Sequence, residues 1–321
     1  MEKLNEIDFK LLSYLYHNFR SPISEIAKAT KLTREQVDYR LSNYFSSGLI
    51  KKFFPVFNYK KFSYNYLNNI LLKFDKFEYY NKFIKKIENS KNCISYGKAY
   101  GKYDLFMNCI FKDEKELNDF VSKLLGDEET PISDYFIINP FFAELYPLKF
   151  FKHNEKEDFM IVGSSDSKTK IDEKDKEICK ILSNDARTKI VDIADKCKIG
   201  AEVALYRLRK LIDEQVILGS RIQFDMAKLG YYFSVILLNI RNISESNREK
   251  IKKFARNSKH VNSLVFSLNR PNFIIQLFHK EEYELRQTIN EIRELLKDNS
   301  FDMDVLLINE DENINALPFV S

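Results

Sequence analysis

Apolar residues recur at helical intervals near the start of the chain: Ile7, Leu11, Leu12 and Leu15, then Ile23, Ile26 and Ala27, then Val37, Leu41, Tyr44 and Phe45. Spacings of three and four put each set on one helix face, so three short helices are predicted within about fifty residues. Start signals agree. Ser21-Pro22 opens the second helix, where proline suits the first turn, and Thr33 with Gln36 three positions on makes a capping box for the third. After Gly48 the run IKKFFPVF turns extended and is predicted as a short β-wing. Three helices and a wing make a winged helix-turn-helix.

The pattern returns further along. A shift of 167 residues sets Asp8 on Asp175, Leu15 on Leu182, Arg20 on Arg187, Ile26-Ala27 on Ile193-Ala194 and Tyr39-Arg40-Leu41 on Tyr206-Arg207-Leu208. Charged and aromatic identities at one constant, ungapped offset indicate a tandem duplication. In the second copy Ile178, Ile181 and Leu182 mark the first helix, residues 188–197 the second, and Gly200-Ala201 the start of the third, with ILGSRIQF at 217–224 as its wing.

After each helix set the period changes. Residues 66–74 read as a strand, 78–88 as a helix, 93–100 and 104–111 as strands, 114–125 as a helix and 132–139 as a strand. The order repeats with a strand from 232, a helix at 246–257, strands at 261–268 and 272–278, a helix at 282–296 and a strand at 301–309. This βαββαβ order is ferredoxin-like. Its helices cover one sheet face, and the other face must find a partner. The expected fold class is therefore α+β, with two winged helix-turn-helix domains (1–61 and 170–228) and two ferredoxin-like domains (62–151 and 229–321) in tandem. A Ser-, Lys- and Asp-rich stretch at 152–169 reads as the linker.

At 321 residues the chain is long enough for several cores. Its net charge of +4 says little until it is divided. Residues 1–61 hold eleven Lys/Arg against six Asp/Glu, and 168–228 fourteen against eleven; each following segment is nearly neutral. The basic excess thus sits on both predicted helix-turn-helix segments. No apolar run is long enough for a bilayer, and MEKLNEIDFK lacks the apolar core of a secretion signal, so a cytoplasmic protein without membrane contact is expected. Cys93, Cys109, Cys179 and Cys197 show no metal spacing and read as reduced core thiols. No nucleophile triad, metal cluster or phosphate loop stands out. No metal, cofactor or enzymatic activity is expected.

In a winged helix-turn-helix the third helix enters the major groove. The candidate contacts are Thr33, Arg34, Gln36, Tyr39 and Arg40 on that helix, Arg and Gln being able to make bidentate contacts with bases, with Lys51 and Lys52 on phosphates. The second copy offers Arg207, Arg209 and Lys210, and Arg221 in its wing, which suit phosphate better than base readout. The bland alternative is that Arg34, Glu35, Asp38 and Arg40 only solvate a helix, because their charges cancel.

These residues resemble the Lrp/AsnC family of transcription regulators, twice over. The resemblance rests on IDFKLLSYL, ISEIAKATKL and VDYRLSNYFSSGLI, and on Gly101-Lys102-Tyr103-Asp104 between two strands. It implies regulation through double-stranded DNA, effector domains that dimerise by their sheets, and an amino-acid effector beside that turn, around Tyr100, Gly101, Tyr103 and Asp104. The second copy reads Asn269-Arg270-Pro271-Asn272 and lacks the carboxylate for an ammonium group, so an effector belongs at the first turn; a plain tight turn is the other reading. Fusion further implies an internal pseudo-dimer, alone or with a homodimer, since a tether of this length holds its partner at millimolar concentration. Two other readings stay open. The siroheme decarboxylases resemble these regulators in fold and would need His groups such as His260 and His279, with His17 and His153 at the surface. A weakly specific DNA-coating protein is the third.

Overall fold

The computed structural model describes residues 4–151, 159–163, 169–241, 243–309 and 313–319, without the side chains of His17, Phe151 and Asn313. The chain begins with α1 (Glu6–Asn18), α2 (Ile23–Thr30) and α3 (Arg34–Ser46), then β1 (Ile50–Phe57). Local chemistry sets the helix starts. Asn5 accepts from Ile7 and Asp8 while Asp8 returns its carboxylate to the Asn5 amide, and Thr33 and Gln36 cap α3 in the same reciprocal way. Pro22 sits one place earlier than expected, as the cap residue before Ile23. Leu11, Leu12, Leu15, Ile26, Val37 and Leu41 close the core between these helices. Ile7 and Phe45, expected inside, are partly exposed, and Phe45 leans on Phe53 with ring centroids 5.7 Å apart.

Then follow β2 (Tyr66–Phe74), α4 (Tyr79–Ile87), β3 (Cys93–Tyr100), β4 (Leu105–Phe111), α5 (Glu114–Leu125), β5 (Ile132–Ile138), β6 (Pro140–Leu145) and β7 (Met160–Val162). The second half runs α6 (Glu173–Asn184), α7 (Ile190–Cys197), α8 (Ala201–Asp213), β8 (Ile217–Phe224), β9 (Tyr232–Ile240), α9 (Glu245–Asn257), β10 (Val261–Ser267), β11 (Phe273–His279), α10 (Glu282–Leu295), β12 (Phe301–Ile308) and β13 (Asn313–Ile314). Met160–Val162 falls inside the stretch read as a linker; residues 152–158 and 164–168 of that stretch, with His153, lie outside the described residues.

Neither wing is a hairpin. β1 and β8 pair with each other, antiparallel, with Phe53 opposite Ile222 and Phe54 opposite Arg221. A lone strand leaves its backbone donors and acceptors unmet, and here each strand supplies what the other needs. The pairing also crosses the cores. Ile222 and Phe224 of β8 pack with α1–α3, while Phe57 of β1 packs with α6–α8.

The remaining strands form one sheet system in the order β5-β2-β4-β3-β12-β9-β11-β10-β6-β7, with β13 beside β3. β6 follows β5 in sequence but pairs with β10, and β13 follows β12 but pairs with β3. Each half therefore lends a strand to the other. Helices cover the outer faces over Phe83, Met107 and Phe111 in one half and Ile251, Leu277 and Ile292 in the other. The inner faces meet through Leu71, Phe106, Ile138, Val235, Leu237 and Ile274. All four cysteines are buried thiols.

Two histidines sit beside α10. His279 Nε2 lies 2.8 Å from the Ser234 hydroxyl, and His260 Nδ1 lies 3.2 Å from the Phe278 carbonyl. Burial holds both below the ordinary imidazole range; Glu284 opposes this and Lys259 reinforces it at His260. An unfolded imidazole takes its proton near pH 6.5. Because the folded values are lower, the stabilisation is complete above that pH and is lost as pH falls through it toward the folded values. The urea midpoint is expected to fall between pH 7.5 and 5.5, and the drop should shrink in the His260→Asn/His279→Gln variant.

Candidate nucleic-acid interface

The residues expected to meet DNA are divided by the structure into a clasp and an exposed face. Arg40 is paired with Asp8 of α1, and the Tyr44 hydroxyl donates to the same carboxylate at 2.6 Å. Burial, then Asp8, hold the Tyr44 hydroxyl well above its ordinary range, so it remains a donor. The second half repeats the device: Arg207 reaches Asp172, which caps α6, and Asp175 within α6, each at 2.8 Å. Energy decides which role Arg40 keeps. A bidentate base contact is worth about 1–3 kcal/mol, whereas stranding a buried carboxylate costs about 3–5 kcal/mol. Asp8 is buried, so Arg40 stays clasped and fixes α3 on α1.

The outward face of α3 carries Arg34, Asp38, Tyr39 and Asn43. Tyr39 is 68% exposed. Thr33 and Gln36 lie at its exposed start, with the Gln36 oxygen spent on the Thr33 amide at 3.0 Å. Asn43 was not singled out from sequence; its place one turn beyond Tyr39 was the available signal. On α8 the outward residues are Glu202, Val203, Leu205, Tyr206 and Arg209, and Tyr206 is 67% exposed. Lys210 is half-buried.

The wing cations separate. Lys51 is exposed on β1, but the Lys52 ammonium donates to the Ile314 carbonyl of β13. Arg221, expected on an exposed wing, instead lines the interior beneath the β1–β8 ribbon, where its Nη2 donates to the Tyr146 carbonyl at 2.9 Å. Pairing of the two wing strands turns that side chain inward. The heads are locked together elsewhere: Arg20 donates to the carbonyls of Ala186 and Thr188, and Arg187 donates back to Phe19 at 2.5 Å.

At the turn read as an effector site, Asp104 is engaged by Lys73 at 2.8 Å and by the Phe74 amide at 3.0 Å. In the other half Asn272 accepts from the Ile240 amide at 3.0 Å, so the carboxylate and the amide do the same work of holding a strand end. Tyr103 is buried between the sheets, Tyr100 is exposed and accepts from Asn309, and Gly101 adopts φ +127°, which favours glycine.

Residues 171–217 match the family model of winged helix-turn-helix DNA-binding domains. The HTH-type transcriptional regulator FL11 of Pyrococcus furiosus is 31% identical over 118 residues, covering 37% of this chain and 78% of FL11. The chain belongs to the Lrp/AsnC family of transcriptional regulators. Another Lrp/AsnC-type relative, the uncharacterized HTH-type transcriptional regulator PYRAB00690 of Pyrococcus abyssi, is 28% identical over 137 residues, 41% of this chain and 92% of its own. Both relatives are thus roughly half as long as this chain. Among solved structures, the siroheme decarboxylase NirDL superposes with a TM-score of 0.64 over 98% of this chain and 96% of its own, at 15% identity, a likeness of fold alone. Among the described residues no helix is long and apolar enough to cross a membrane.

Proposed function

We propose that this regulator acts as a single-chain pseudo-dimer that holds double-stranded DNA with two unequal heads. In this reading one module is repeated: residues 1–61 and 170–228 are the heads, and 62–151 and 229–321 the ferredoxin-like bodies. The β1–β8 ribbon carries the proposal, because it ties both heads together and fills the strand edge that a second chain would otherwise fill. The reciprocal Arg20 and Arg187 bonds and the half-length relatives support it. The first head reads bases through Arg34, Gln36 and Tyr39. The second exposes Val203, Leu205 and Tyr206 where a reader carries polar donors, and holds phosphates through Arg209 and Lys210.

Fluorescence-anisotropy titration with selected duplexes at about 50 mM salt, beside sedimentation analysis, tests the reading. One chain per duplex is expected, with affinity falling steeply as salt rises and with one strongly and one weakly specified half-site. Failure to bind any duplex, or binding only by a dimer of chains, would refute it.

The whole-chain fold likeness to a siroheme decarboxylase favours a second reading, an enzyme acting on a carboxylate-rich tetrapyrrole. Such a substrate needs several cations and histidines facing one cavity. Among the described residues the cavity beneath the ribbon has one charged lining residue, Arg221, and no histidine, while His260 and His279 lie beside α10. We assign no catalytic residue. The visible spectrum of siroheme should be unchanged by the protein; a shifted band would reverse this assignment.

A further inference from the structure

Between the β1–β8 ribbon and the two sheets lies a cavity of about 260 Å³, just under the ~300 Å³ lower end of drug-sized sites. Phe54, Val56, Arg221 and Gln223 line it from the ribbon. Each sheet adds a polar wall. Asn69 donates to Asn108 at 2.5 Å and Asn108 to Ser95 at 2.7 Å on one side; Ser263 donates to Gln276 at 2.6 Å on the other. The rest of the lining is largely apolar, Phe233 and Val265 included.

Three buried polar atoms in this lining lack a partner: Arg221 Nε, Asn69 Oδ1 and Asn262 Oδ1. Both asparagines are more than nine-tenths buried. Unmet buried groups of this kind cost about 1–3 kcal/mol each, and more when charged, so native sites fill them. No carboxylate of the described residues pairs with Arg221, and no acidic side chain lines the cavity. The guanidinium therefore calls for an anion, and its fork suits a carboxylate. The two amide oxygens call for a neutral donor, because an ammonium group here would be buried without a counter-charge. Phe54 is the cross-strand partner of Arg221, so the ring and the guanidinium enter the cavity side by side from one face of the ribbon.

We propose that this cavity binds a small hydroxycarboxylic acid with a hydrocarbon body. Its carboxylate rests on Arg221, its hydroxyl donates to Asn69 or Asn262, and its body packs against Phe54, Val56 and Phe233. The site does not depend on how the chain meets DNA, and it is read without DNA.

Calorimetry on the full chain with 3-phenyllactate, 3-phenylpropionate and phenylalanine tests it. Saturable binding of 3-phenyllactate is expected, at least tenfold weaker for 3-phenylpropionate, which lacks the hydroxyl, and at least a hundredfold weaker for zwitterionic phenylalanine. Arg221→Met should weaken 3-phenyllactate at least tenfold. Because that change also removes the bond to Tyr146, Val56→Trp serves as a second variant: it keeps Arg221, fills the cavity, and should abolish binding at a near-parental melting temperature. No binding of 3-phenyllactate at millimolar concentration, equal binding of phenylalanine, or unchanged binding in both variants would overturn the assignment.

Discussion

Arg256→Met is expected to lower the unfolding free energy by about 3 kcal/mol, toward the low end of the ~3–5 kcal/mol range for breaking a buried pair, since the arginine is partly exposed. Arg256 of α9 grips Glu144 of β6 at 2.5 and 2.9 Å, and the Tyr146 hydroxyl adds a third bond at 2.8 Å. The Glu144 side chain is 1% exposed against 32% for Arg256. Taking the arginine away strands a carboxylate inside the sheet system, with only the tyrosine to hold it. Glu144→Leu in the same background removes that charge and should recover most of the loss. Urea unfolding followed by circular dichroism reads both variants. A single variant within about 1 kcal/mol of the parent would mean that the pair does not hold the exchanged β6 strand in place.

Arg34→Glu combined with Tyr39→Ala is expected to weaken DNA binding at least tenfold. One base-reading side chain is worth about 1–3 kcal/mol, and charge reversal beside phosphates adds repulsion. Arg209→Glu should behave differently, weakening all duplexes alike and reducing the salt slope by about one. Arg40→Met belongs to neither class: it disturbs the Asp8 clasp, so its first effect should be on stability. Anisotropy on cognate and scrambled duplexes separates these outcomes. Parental affinity in the Arg34→Glu/Tyr39→Ala variant would remove α3 from the reading surface.

The elements were legible because their patterns are local. Helical spacing marked α1, α2 and α3, the Thr33–Gln36 capping box marked where α3 starts, and the change to strands at 66–74 and 232–240 was plain in runs such as ILLKF and VILLNI. The strands β6, β7 and β13 were missed for the opposite reason. β6 pairs with β10 and β13 with β3, both distant in sequence, and nothing in PFFAEL announces that partner; β7 is three residues long and joins the sheet only through β6. The position of α3 was also legible, but not the employment of its arginine. Arg40 and Arg207 were expected on DNA from their place on the third helices; Tyr-Arg-Leu repeats there at an offset of 167, Asp8 and Asp175 repeat at the same offset, and that joint recurrence is the trace an internal clasp leaves. Arg20 and Arg187 carried the same kind of signal, and the structure gives them the carbonyls of the opposite head.

The two strands of the ribbon are encoded at separate places in one polypeptide. When identical subunits meet on a two-fold axis, every codon change strikes both sides at once, and a substitution that helps one side while harming the other is lost. Here each strand mutates alone, and so does each head. If the chain acts as the proposed single-chain pseudo-dimer, operators without dyad symmetry are open to it, where an ordinary homodimer is held to palindromes.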